Sequence, residues 1–71
     1  MARAEIRNLI RRLRFENEEM TQQELADLVG CTRQTIILLE KERYVPSLAL
    51  ALRIARVFGE PVEAIFDLVE D

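Results

Sequence analysis

The chain has 71 residues, of which 49% are apolar and 32% charged, with a formal net charge of −3. That length fits one domain, and a domain this small hides only roughly 60% of the surface its unfolded chain exposes, so it benefits from a staple or a partner. A single cysteine and no histidine exclude a disulfide and leave Cys31 unable to hold a structural metal alone, which makes association between copies the natural support.

Ile6, Leu9, Ile10 and Leu13 recur at helical spacing with Arg7, Arg11, Arg12 and Arg14 between them, which predicts a first helix over about residues 4–16. The polar run "ENEE" then connects to Thr21, which with Glu24 makes a capping-box pattern, and Met20 and Leu25 stand where a hydrophobic staple would. A second helix is expected over 22–29, ended by Gly30 in a left-handed conformation. Thr32 caps a third helix over 33 to about 42. A turn that short between two helices favours a sharp crossing. Pro46 forces the preceding residue to be extended. Ser47 caps a fourth helix, rich in apolar residues from Leu48 to Phe58, and Gly59 ends it. Pro61 begins a short fifth helix through Ile65 or Phe66, and Phe66 to Val69 can form a β-strand.

Charge is segregated along this order. Residues 1–15 carry +4, 16–30 carry −5, 31–58 carry +3 and 59–71 carry −5. A phosphate backbone responds to a local basic patch and not to the total, so the net charge does not exclude nucleic acid. No run of about 18 apolar residues occurs, so no membrane span is expected. "MARAEIRNLIRRLR" is too charged for a secretion signal. A cytoplasmic protein with Cys31 reduced is expected. With no histidine and no base beside Cys31 in sequence, an enzyme is not expected.

The third helix has two unlike faces. Stepping about 100° per residue, Ile36 and Leu39 fall together with Thr32 and Arg43, whereas Arg33, Gln34, Ile37, Leu38 and Lys41 occupy the other side. A face that mixes Arg, Gln and Lys with two aliphatic side chains suits a DNA major groove, with phosphates at its rim, donors and acceptors on its base edges, and thymine methyls. Arg33 can take the two guanine acceptors, Gln34 can pair with adenine, and Ile37 and Leu38 can lie on thymine methyls. The same face could instead bury Ile37 and Leu38 against another protein and leave Arg33 solvated. The helical wheel alone leaves both open.

Thr21-Gln22-Gln23-Glu24-Leu25-Ala26, then Val29-Gly30, then Thr32-Arg33-Gln34-Thr35-Ile36, then Glu40, then Tyr44 with Pro46-Ser47-Leu48 carry a likeness that spans nearly the whole chain. The stretch "MTQQELADLVGCTRQTIILLEKERYVPSLALALRIARVFGEPVEAIF" resembles the helix-turn-helix of the Cro and phage-repressor family, often called the Xre family. The resemblance implies an all-α, five-helix domain in which the third helix is the recognition helix. Arg33, Gln34 and Leu38, with Ile37 beside them, would face bases. Backbone contacts would come from Gln22, Thr32, Thr35, Lys41 and Arg43, with Gln22 also bracing the first turn of the third helix. Arg14 and Glu40 match an ion pair that ties the first helix to the third. Two departures stand out. Lys41-Glu42-Arg43 replaces the usual glycine after the third helix, so a left-handed end costs about 1 kcal/mol or the helix runs one residue further. The connection "FENEE" is also one residue longer than is usual.

One recognition helix covers few base pairs, whereas two copies about a two-fold axis present theirs about 34 Å apart. Short members of the family pair through a C-terminal segment, sometimes joined by residues before the first helix. Here Phe66, Leu68 and Val69 are apolar beyond the fifth helix, "FDLVE" can form a strand, "ARAEI" can pair with it, and Val62 and Ile65 would complete the contact. The expected protein is thus a single domain over residues 1–71, an all-α fold with a short terminal strand at the dimer interface. It would bind double-stranded DNA by sequence as a homodimer on a palindromic operator, acting as a repressor of transcription. No cofactor, metal, membrane or small-molecule ligand is expected. The alternative is a helix-turn-helix of the antitoxin type, whose main role is to hold a partner protein; salt separates the two, because phosphate contacts weaken steeply with it.

Overall fold

The computed structural model describes residues 5–69 and orders them as β1 (Glu5–Asn8), α1 (Ile10–Glu16), α2 (Gln22–Val29), α3 (Arg33–Glu40), α4 (Leu48–Phe58), α5 (Val62–Ile65) and β2 (Phe66–Val69). Hydroxyl caps start the three long helices. Thr21 Oγ1 accepts from the Glu24 N–H at 3.0 Å and Glu24 Oε1 accepts in return from the Thr21 N–H at 2.9 Å, completing the capping box of α2. Those bonds, the backbone one first, hold the Glu24 carboxyl below the usual carboxylate range. Thr32 Oγ1 accepts from the Thr35 N–H at 3.2 Å to open α3, and Ser47 Oγ from the Leu50 N–H at 3.1 Å to open α4. Gly30 closes α2 at φ 74°, where a side chain would be strained. Among the described residues no helix is long and apolar enough to cross a membrane.

The amino-terminal segment corrects the sequence reading. The first helix begins at Ile10 and not near residue 4, and residues 5–8 are extended. They pair antiparallel with β2, Glu5 opposite Val69, Ile6 opposite Leu68, Arg7 opposite Asp67 and Asn8 opposite Phe66. Among the described residues the fold is therefore five helices plus a two-stranded sheet, and not purely α. The strands expected at the chain ends do pair, but within one chain. Ala2, Arg3 and Ala4 of "ARAEI", and Glu70 of "FDLVE", lie outside the described residues. Asn8 is what turns the strand into the helix. Its Oδ1 accepts from the Ile10 N–H at 3.1 Å, and its Nδ2 donates to the Leu39 carbonyl at 2.8 Å. The Leu9 N–H donates to the Ile65 carbonyl at 3.0 Å.

The end of α3 resolves the missing glycine. The helix stops at Glu40, Lys41 is its C-cap, and Glu42 adopts a left-handed φ of 61°. The Arg43 N–H donates to the Leu38 carbonyl at 3.0 Å and the Glu42 N–H to the Leu39 carbonyl at 2.9 Å. That pair of bonds is the Schellman pattern, made here by glutamate at a site glycine favours. Glu42 Oε2 also accepts from the Asn8 N–H at 3.1 Å, which offsets part of the strain. Glu42→Ala keeps the left-handed strain and loses this bond, so urea unfolding should show a loss of about 1 kcal/mol. Glu42→Gly loses the same bond but removes about 1 kcal/mol of strain, so it should unfold close to wild type. Equal losses for both variants would mean the backbone at residue 42 is not strained.

The core joins all five helices. Ile10, Leu25, Ile36, Leu39 and Ile54 are each 0% exposed, and Ile65 is 2% exposed. Ile65, expected at a contact between copies, belongs to the core of its own chain. Val62 and Phe66 are partly buried and pack against that core. Met20 joins them. Leu68 keeps 54% of its surface exposed.

Candidate nucleic-acid interface

Helix α3 shows the two faces the wheel predicts. Ile36 and Leu39 are fully buried against the body of the molecule. Arg33, Gln34 and Lys41 are exposed, and Ile37 and Leu38 are half-buried, outside the core cluster. Arg33, Gln34, Lys41 and Arg43 make no side-chain hydrogen bond or ion pair within the described residues. At the start of the helix the Thr32 and Thr35 hydroxyls lie 3.1 Å apart, so both stand at the α3 N-terminus. Cys31, just before, is half-buried, and that burial pushes its thiol pKa up.

A polar network fixes how α3 sits. Arg14 of α1 forks onto Glu40, Nε to Oε2 at 2.6 Å and Nη2 to Oε1 at 2.9 Å. Its Nη1 donates to the Met20 carbonyl at 2.7 Å, which also secures the connection after α1, where Glu18 and Glu19 both take φ 54°. The forked geometry is the strong form of an Arg–carboxylate pair, and it joins the first helix to the third. Gln22 completes the network, its Nε2 donating to Glu40 Oε1 at 3.2 Å. Gln22 therefore braces the last residue of α3 and not its first turn, a correction to the expected geometry. Its second amide hydrogen remains available as a donor.

Two clefts flank this network. One is lined by Arg14, Thr21, Gln22, Gln23 and Arg33. The other, of about 370 Å³, is lined by Arg11, Arg14, Gln22, Ile37, Glu40 and Lys41. They share Arg14 and Gln22, so Arg33 and Lys41 stand along one continuous surface. Arg11, which the sequence reading did not place at this surface, lines the second cleft. Its signal was its place three residues before Arg14, which puts both on one side of α1.

A family model described as helix-turn-helix matches residues 10–65. The chain belongs to this family, in its Xre/Cro type. In this helix-turn-helix, α2 and α3 are the paired helices and Gly30, Cys31 and Thr32 are the turn. The chain is 61% identical over 67 residues to an uncharacterised HTH-type transcriptional regulator of Methanothermobacter thermautotrophicus, covering 93% of this chain and 96% of the relative. It is 56% identical over 52 residues to another uncharacterised HTH-type transcriptional regulator, from Archaeoglobus fulgidus, covering 73% of each. The crystal structure of a candidate DNA-binding protein from Bacteroides fragilis superposes with a TM-score of 0.74 over 87% of this chain and 98% of its own. At 19% identity that likeness concerns the fold.

Proposed function

We propose that residues 1–71 act in the cytoplasm as one sequence-specific unit that binds double-stranded DNA and regulates transcription, by binding and not by catalysis. The observation that carries this reading is the outer face of α3. It offers Arg33, Gln34 and Lys41 unengaged, with Ile37 and Leu38 half-exposed among them, on a helix locked in place by Arg14 and Glu40. Arg33 and Gln34 read base edges, and Ile37 and Leu38 lie against thymine methyls. Gln22, Thr32, Thr35, Lys41 and Arg43 hold the backbone, with the α3 N-terminus contributing its N–H groups. The names of the relatives favour regulation of transcription over the antitoxin alternative.

A homodimer on a palindromic operator follows from the short reach of one helix. Leu68, Val69, Phe66 and Val62 form its contact, with Leu68 supplying the most free surface. Repression by occupancy is the simplest output, because it asks only that the site be held.

Selection of duplexes from a random pool tests the reading, and failure to enrich any sequence would overturn it. On the enriched site Arg33→Ala should cost about 1–3 kcal/mol and blur one base pair. Arg43→Ala should instead weaken all sequences alike and lower the salt slope by about one. An equal loss on random and selected DNA for Arg33→Ala would make Arg33 a phosphate contact.

A further inference from the structure

Arg11 stands on α1 and shares with Lys41 a cleft whose other walls are Gln22 and Ile37 and whose floor is Arg14 and Glu40. The floor is electrically neutral, because the Arg14 fork and the Glu40 carboxylate satisfy each other. The walls are not. Arg11 and Lys41 are exposed and hold no ion pair among the described residues. Arg12, the next residue, is different, since its Nε lies 3.1 Å from Glu16 Oε2. The cleft thus gathers two uncompensated cations from α1 and the end of α3, and its lining includes Gln22, whose amide has a second hydrogen to donate. A fork of N–H donors beside an ammonium over a neutral floor is chemistry suited to a phosphodiester oxygen.

We infer that this cleft seats one backbone phosphate of the duplex, held by Arg11 from α1 and Lys41 from the end of α3. The inference rests on the DNA-binding reading and extends the interface onto a helix outside the helix-turn-helix. Arg11 then sets how far α3 enters the groove, because a phosphate held against α1 fixes the approach of the whole body.

The test uses the full chain, with wild type, Arg11→Ala, Arg11→Lys and Arg12→Ala compared on a selected duplex and a scrambled one across a salt series. Arg11→Ala should lower the salt slope by about one on both duplexes without changing the preferred sequence. A salt increase of about fourfold would then cost it about 3.5-fold less affinity than it costs wild type. Arg11→Lys should restore the slope, and Arg12→Ala should match wild type. A neutral methylphosphonate moved along the duplex should weaken wild type at one position per half-site and weaken Arg11→Ala less there, because Lys41 alone still faces that phosphate. A wild-type slope for Arg11→Ala, while Arg33→Ala still loses base preference, would overturn the Arg11 cleft alone. Wild-type binding that ignores salt would overturn the DNA-binding reading with it.

Discussion

Glu40→Ala should lower the melting temperature by about 15 °C, corresponding to a loss of about 3 kcal/mol in a domain of this size. The Arg14 side chain is only 14% exposed and its partner Glu40 only 9% exposed. Removing the carboxylate leaves a guanidinium short of water with its Nε and Nη2 donors unmatched, and strands the Gln22 amide as well. Truncating one partner of a buried pair costs far more than the pair contributes against an apolar replacement. The double variant Arg14→Met, Glu40→Leu should therefore recover most of the lost stability while losing DNA affinity, since Gln22 is no longer held beside α3. Thermal unfolding by circular dichroism measures the first effect. A Glu40→Ala protein that melts within a few degrees of wild type would make the fork incidental to the fold.

Ile65→Ala should cost about 2–4 kcal/mol in chemical unfolding, the usual range for emptying a buried aliphatic site. Ile65 is 2% exposed within its own chain, and its carbonyl accepts from the Leu9 N–H. The loss should be the same at low and high protein concentration, because the contacts removed are intramolecular. Leu68→Ala offers the contrast. With 54% of its surface free, Leu68 should change stability little at high dilution and should shift self-association measured by sedimentation. A concentration-dependent loss for Ile65→Ala would return that residue to the contact between copies.

The middle of the molecule was legible because its signals are local. Thr21 with Glu24, Gly30, Thr32 and Ser47 each act on backbone groups within a few residues, so their roles could be read from spacing alone. The two faces of α3 were likewise fixed by helical geometry, and Arg14 with Glu40 by family likeness. The start of α1 was not legible. Ile6 fits a helical pattern with Leu9, Ile10 and Leu13, but its position is decided by Leu68 across the sheet and by Asn8 reaching Leu39. No local window contains those partners. Glu42 was legible only as a missing glycine; the bond from the Asn8 N–H that helps it tolerate a left-handed backbone comes from the far end of the sequence. That Arg11 shares a cleft with Lys41 was not legible either, because a basic stripe on a first helix looks like ordinary solvated charge until α3 is placed beside it.

The pairing of β1 with β2 has a kinetic meaning. Glu5 meets Val69, so all five helices lie inside a single loop that this pairing closes. Helical turns form between neighbours three or four residues apart, whereas this closure must first bring distant ends together and bear the entropy of doing so. A two-stranded ribbon is marginal by itself, so it depends for its footing on Ile65 in the core and Phe66 packed against it. Asn8, riding on β1, then secures the Leu39 carbonyl and the Glu42 carboxylate at the end of α3. Beside the Arg14–Glu40 fork, the closure of this loop is therefore a second hold on the end of α3.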